Sequence, residues 1–381
     1  MKTLFSLFLL LSFSLHASVV DFEKYLLPEV GDERPPSASF AILQGDKIVY
    51  ERSFGFNDAN ITQPTSLESV YHVFSLTKIL AATLAMQLID EGVLSLDEPI
   101  NKYLPRFRAK YDDKDVSVTI LNLLNHSSGI TDRSSEVRPL TDDNYYAYAK
   151  ANDIEIVEYI ELPYMPGSEA KYSSAEYIIL SRIIEKATGR EFGELVMERV
   201  VRPSKMKRSG FHYTEAMAQD QVYGTMKMFS IVGIAMRMFM DSANKDHWDG
   251  TTLWLKQFDI GWLAAGGLVA PIHDMALFLS AYHNNTLMTK ETKKIFLETP
   301  TVKVDSWMAP QEDIHFGIGW YHIRDKGEFY YQHQGLGPGY RTMIRIYPEY
   351  DISYVILTSQ TETDIDSWGD KLIESIKGGL F

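Results

Sequence analysis

Residues 76–91 are apolar at every position except Thr77, Lys78, Thr83, Gln87, Asp90 and Glu91, and the run stops at Gly92. Such a run closed by a glycine predicts a helix buried nearly all round. Ahead of it, residues 37–43 and 47–54, separated by Gln44-Gly45-Asp46, predict a β-hairpin, and residues 70–74 a brief strand leading to Ser75. Helical periodicity returns over residues 118–124, 145–160, 177–188 and 192–200, punctuated by turns at 125–129, Met165-Pro166-Gly167, Gly189 and Pro203. The polar stretch 106–115 carries no predicted element. Beyond Gly261 the pattern predicts a helix over 274–282, strands over 317–323, 329–332, 341–347 and 352–358, and a closing helix over 365–376. Strands at both ends with helices between predict one α/β domain built from residues 19–90 and 256–381, with a helical domain, residues 91–255, inserted. Ligand sites favour such domain interfaces.

The helix opening at residue 76 carries a lysine in its first turn. A buried ammonium must be paired, or its pKa must fall until the proton leaves. Ser75 stands one turn before Lys78, so hydroxyl and amine share a helix face. A weak nucleophile beside a base, at a helix N-terminus whose free N–H groups favour developing negative charge, is the pattern of an active centre. Spacing alone does not select it, because Ser-x-x-Lys also occurs at Ser168–Lys171, Ser204–Lys207 and Ser242–Lys245. Those three lie in polar, turn-rich surroundings and read as solvated surface groups. Only Ser75–Lys78 puts its lysine into an apolar helix.

The chain's 381 residues can bury a sizeable core and predict two domains or one large one. A formal charge of -14, with no basic cluster to offset it, argues against nucleic acid as a partner. Lys2, the apolar run 4–15 and His16-Ala17-Ser18 form a leader pattern over residues 1–18, which predicts a periplasmic or secreted protein. Without cysteine there is neither disulfide nor thiol nucleophile. The 10 histidines are scattered and His-Glu-x-x-His is missing, so no metal is expected.

Other stretches could carry chemistry. Tyr172, in Tyr172-Ser173-Ser174, could share its proton if placed beside Lys78, since an ammonium stabilises phenolate. His333-Gln334-Gly335-Leu336-Gly337-Pro338-Gly339 has three glycines in five residues, which let a backbone approach a ligand and offer a strand N–H to an oxyanion. His126, beside Ser127-Ser128-Gly129, reads as a structural turn. The methionine-rich segment 226–240 reads as a core or cover helix, or else as an apolar lid or a membrane-surface helix edged by Lys227 and Arg237.

Taken in order, Ser75-Leu76-Thr77-Lys78, the stretches 94–105 and 119–129, Pro166-Gly167 before Tyr172, Gly266-Gly267-Leu268 with Asp274, Gly317-Ile318-Gly319-Trp320 and His333-Gln334-Gly335 with Gly339-Tyr340 resemble the class C β-lactamase-like serine hydrolases. That family includes class C β-lactamases, penicillin-binding proteins and DD-peptidases, D-aminopeptidases and family VIII-type esterases. The resemblance implies an antiparallel sheet flanked by helices with an inserted all-helical domain, and no metal or cofactor. It implies Ser75 as the acylated nucleophile, Lys78 as the group easing its deprotonation, and Tyr172 as general base. The backbone N–H groups of Ser75 and Leu336 would form the oxyanion hole, with Ser174, His333, Gln334 and Gly335 contacting substrate.

Two positions depart from the β-lactamase pattern: Ser174 stands where an asparagine is usual, and His333 replaces the lysine of Lys-Thr-Gly that helps hold a substrate carboxylate. A mostly neutral imidazole is the poorer carboxylate partner; Arg341 is a candidate to compensate. The expectation is an exported hydrolase acting through an acyl-enzyme on an ester or a D-amino-acid-type amide. The alternatives are a β-lactamase or DD-carboxypeptidase, or a penicillin-binding sensor with slow turnover.

Overall fold

The computed structural model describes residues 22–25, 37–131, 160–240, 244–261, 263–299, 302–304 and 313–380. The leader pattern and most of the helix expected over 145–160 lie outside them; Ile160 itself opens a short strand. The strands, in chain order, are β1 (Ala38–Gln44), β2 (Lys47–Phe54), β3 (Val70–His72), β4 (Ala109–Tyr111), β5 (Lys114–Val116), β6 (Ile160–Glu161), β7 (Thr225–Lys227), β8 (Lys245–Asp249), β9 (Thr252–Leu255) and β10 (Val269–Pro271). There follow β11 (Val302–Lys303), β12 (Asp313–Phe316), β13 (Tyr321–Asp325), β14 (Glu328–Gly337), β15 (Tyr340–Tyr347) and β16 (Ile352–Thr358).

Eight of these form one antiparallel sheet in the order β11-β12-β13-β14-β15-β16-β1-β2. Strand residues alternate between two cores, as a sheet covered on both faces requires. Ala38, Phe40 and Ile42 of β1, with Tyr354 and Ile356 of β16, pack with Trp368, Leu372 and Ile376 of the closing helix, Ile365–Leu380. Ala41 and Leu43, with Val355 and Leu357, face the larger core, which also takes the buried residues of the Ile120–Leu124, Ser174–Thr188 and Ile272–His283 helices. At the centre of that core lies the Thr77–Asp90 helix, buried at every residue from Thr77 to Met86, as the apolar run predicts.

The differences from the sequence pattern have local causes. Polar residues 106–115 hold the β4–β5 hairpin, whose turn places Asp112 and Asp113 in left-handed backbone at φ 52° and 59°; its short polar strands carry no alternation to read. The strand expected over 317–323 is interrupted, because Gly319 turns the chain at φ 67° and donates its N–H to Leu124 O at 3.1 Å. The Lys290–Glu298 helix, started by Thr289, leaves no apolar periodicity in the sequence because only Thr292 and Phe296 are buried on it. Segment 226–240 is not one helix: β7 uses its start, and Ser230 caps a separate helix, Ile231–Phe239, by accepting the Gly233 N–H.

Candidate active site

The chain reaches Ser75 through a segment fixed on every side. The Val73 N–H donates to Leu268 O at 3.1 Å, and Val73 O accepts from Thr342 Oγ1 of β15 at 2.9 Å. Phe74 sits at φ 46°, a backbone region disfavoured for a bulky residue, and its carbonyl accepts from Thr77 Oγ1 at 2.6 Å. Such a position persists only where the surroundings over-determine it. Here that fixes Ser75 at the mouth of the Thr77–Asp90 helix.

Lys78 is completely buried, and its Nζ donates to Ser75 Oγ at 3.1 Å and to Ala265 O at 2.6 Å. It also lies 4.9 Å from the centre of the Tyr172 ring and 5.7 Å from that of Tyr177, within cation–π range. The Tyr172 hydroxyl is 2.6 Å from Ser75 Oγ. One serine oxygen is therefore held between a buried amine and a phenol, 3 and 97 positions away in sequence. Of the other Ser-x-x-Lys pairs, Lys171 and Lys207 are exposed, and the fourth lies partly outside the described residues.

Strand β14 closes the site from the opposite side. Its β13 partner pairs it only as far as Gln332, and the strand continues to Gly337 against the Ser75 segment. A Cβ on Gly335 would stand 2.4 Å from Val73 O, so only glycine admits this approach. Thr361 Oγ1 fixes the following turn, accepting the Gly339 N–H at 2.7 Å and donating to Gly337 O at 3.0 Å.

His333 is on the same face as Gly335, and its ring centre is 6.4 Å from that of Tyr172. Its Nδ1–H donates to Gln334 O at 2.9 Å, leaving a buried Nε2 with no hydrogen-bond partner among the described residues. Burial, reinforced by the charge of Lys78, pushes the imidazole down to about 3, so the ring is neutral at ordinary pH.

Not every expected site residue converges here. Gln334 alternates to the other face of the sheet, where its amide donates to Asp366 Oδ1 at 2.7 Å and accepts from Arg341 Nη2 at 2.5 Å. Arg341 is thereby committed on that face and does not replace the missing lysine. The Leu336 side chain shares that face by the same alternation, so only the Leu336 backbone is available to the site. Ser174 opens the Ser174–Thr188 helix two residues after Tyr172. Among the described residues no three His, Asp or Glu side chains converge as metal ligands.

The turn expected at His126 is present, and it supports Tyr172 from behind, a role its local sequence does not announce. His126 stands at φ 56°; its carbonyl accepts the Lys171 N–H at 3.0 Å, and its Nδ1 lies 3.3 Å from the Ser173 nitrogen. Nδ1 also contacts the buried Glu176 carboxylate, which accepts from Ser128 Oγ at 2.5 Å. The available signal was a histidine in the turn that stops the Ile120–Leu124 helix.

The family model described as Beta-lactamase matches residues 22–372. The chain belongs to the beta-lactamase family. Protein flp of Staphylococcus aureus (strain MW2) is 26% identical over 190 residues, covering 50% of this chain and 37% of flp. This beta-lactamase-family chain thus spans little more than a third of the length of that relative. A putative D-alanyl-D-alanine carboxypeptidase of Escherichia coli (strain K12) is 24% identical over 303 residues, covering 75% of this chain and 68% of that protein. The D-amino acid amidase from Ochrobactrum anthropi SV3, solved with D-phenylalanine, shares the fold with a TM-score of 0.76 at 19% identity, covering 95% of this chain and 99% of that one.

Proposed function

We propose that the protein is an exported serine hydrolase that forms an acyl-enzyme on Ser75 and hydrolyses a small ester or a D-amino-acid-type amide. The observation that carries this reading is the joint approach of Lys78 Nζ and Tyr172 OH to Ser75 Oγ, at 3.1 and 2.6 Å. In the proposed reaction the Ser75 hydroxyl proton passes to the Tyr172 oxygen while Oγ bonds to the substrate carbonyl carbon. The charge of Lys78 favours the phenolate form of the base and the oxyanion alike. Collapse of the tetrahedral intermediate breaks the bond to the leaving alcohol or amine, which takes that proton. Water, deprotonated in the same way, then releases the acid and restores Ser75. The Ser75 and Leu336 N–H groups are the proposed oxyanion donors.

His333 supports ester or amide substrates without a carboxylate at that position. A neutral ring with its Nδ1–H engaged offers a lone pair, which an anion would meet unfavourably and a substrate N–H or O–H favourably. The second reading, a carboxypeptidase or a penicillin-binding sensor, draws on the carboxypeptidase name of the Escherichia coli relative and requires no change in the Ser75 chemistry. Phe229 and Ile231, 80% and 86% exposed ahead of and at the start of the Ile231–Phe239 helix, support contact with an apolar substrate portion or a membrane surface. Flotation with lipid vesicles tests the latter: loss of flotation in Phe229→Ser/Ile231→Ser is expected, and a wild type that never floats overturns it.

The deciding experiment follows intact mass over time after mixing with a p-nitrophenyl ester or, separately, a penicillin, using wild type and Ser75→Ala. A transient ester adduct with nitrophenol release, lost in the variant, is the expected result. A long-lived penicillin adduct with little ester turnover moves the reading to the sensor. No adduct from either reagent overturns the acyl-enzyme.

A further inference from the structure

Behind Tyr172 lies a pair of ionisable side chains with no place in the reaction just described. Glu176 is fully buried and His126 is 1% exposed. Burying a carboxylate is costly unless its oxygens are satisfied. Here Ser128 supplies both its hydroxyl, at 2.5 Å, and its N–H, at 3.2 Å, to Oε1, while Oε2 meets His126 Nδ1. The ring so held has its centre 4.7 Å from that of Tyr172 and 4.6 Å from that of Phe316. His126 also contacts the backbone on both sides of Tyr172, through its carbonyl to the Lys171 N–H and through Nδ1 near the Ser173 N–H. A loop residue gripped at its two neighbours and along its ring face has little freedom left.

We propose that His126, oriented by Glu176, is the positioning residue that sets the Tyr172 phenol on Ser75. This rests on Tyr172 acting on Ser75 as proposed above. His126 touches neither substrate nor the reacting atoms; it acts through the tyrosine. The left-handed backbone at His126 adds a constraint of its own, since few residues other than glycine, asparagine and aspartate tolerate it. A polar group that fixes a ring orientation matters because a misplacement of about 1 Å at a reacting group can reduce the rate on the order of 100-fold.

The test is a double-mutant cycle between His126→Asn and Tyr172→Phe, read as the rate of Ser75 acylation by a p-nitrophenyl ester in the intact protein. Asparagine keeps the left-handed backbone and the carbonyl that holds Lys171, and removes the ring. The expected result is a fall in kcat of about 10- to 100-fold with KM little changed. In that background, Tyr172→Phe should cost far less than it costs in the wild type, because a misplaced phenol has little left to lose. Glu176→Gln keeps the shape of the pair and provides the second arm, should His126→Asn fold poorly. It is expected to give a smaller kcat loss with the same non-additivity, partly restored in Glu176→Asp. Wild-type acylation rates in both variants, or losses that add independently to that of Tyr172→Phe, overturn the proposal. A wild type that forms no Ser75 adduct fails the acyl-enzyme reading itself, a distinguishable outcome.

Discussion

Gly337 approaches Phe74 so closely that a Cβ built on it would lie 2.0 Å from a carbon of the Phe74 ring. The strand bearing the proposed oxyanion donor and the residue preceding the proposed nucleophile are thus in contact with no room for a methyl group. Gly337→Ala must displace one of them. Overpacking of this kind costs about 1–3 kcal/mol of stability, and the shift falls where acylation is most sensitive to geometry. The expected outcome is a folded protein whose acylation rate drops by about 10-fold or more. Adduct kinetics beside a urea denaturation curve check it; unchanged kinetics would mean that this approach does not set the site.

Lys78 gives a separation of stability from activity. Its ammonium is buried among Ala265 O, Ser75 Oγ and two tyrosine rings, and burying such a group costs more than burying an apolar one of the same shape. Lys78→Met is expected to leave the midpoint of unfolding equal or raised while acylation falls by about 10²–10⁴. A variant that loses both together would assign Lys78 a structural role.

His333→Lys is expected to invert preference at that position. An ammonium in place of a neutral acceptor attracts a carboxylate and repels a substrate ammonium. The ratio of kcat/KM for a carboxylate-bearing ester to that for its uncharged analogue should rise about 10-fold, even as absolute rates fall. The paired assay reads this directly, and a ratio that does not move would remove His333 from the substrate pocket.

His72 carries the clearest pH linkage outside the site. It is fully buried, its ring stacks 4.4 Å from that of Phe258, and burial pushes its pKa down to about 3. Between about pH 3 and 6.5 the unfolded chain binds a proton here that the folded chain does not, so stability rises with pH across that window and is lost as pH falls. The slope is about 1.4 kcal/mol per pH unit for one such histidine. In denaturation at pH 7 and pH 4.5, His72→Phe should show a smaller loss of stability on acidification than the wild type. An equal loss in both would show that His72 titrates normally in the folded chain.

The legible parts of the fold were those where one physical signal dominates. The 76–91 run announced a buried helix because almost nothing polar interrupts it, and the single buried lysine then singled out Ser75 among four equivalent spacings. Strands β1, β15 and β16 were readable from their apolar and β-branched runs. The β4–β5 hairpin and the Lys290–Glu298 helix were not, because they bury few side chains and leave little pattern. Gln334 illustrates a different limit: the motif gave its position but not its face, and alternation along β14 turned it toward Asp366. The Glu176–His126 pair was not legible because its members are 50 positions apart: His126 reads alone as a turn residue, and Glu176 carries no local signal.

The pairing of β1 with β16 brings Ser37 and Ser359, 322 positions apart, together just beyond the ends of the two strands, where the Ser359 N–H donates to Ser37 O at 3.0 Å. During synthesis β1 and β2 therefore emerge long before the strand that completes them. At about 5–20 residues per second the hairpin waits on the order of tens of seconds with an apolar edge unpaired. Ser75, Tyr172 and His333 are made in that order, and β15 and β16, which continue the sheet beyond β14, follow them. A chain stopped before β14 would hold the serine and lysine without the strand that lies over them, so the proposed reactive centre is assembled only after Gly337 has been made.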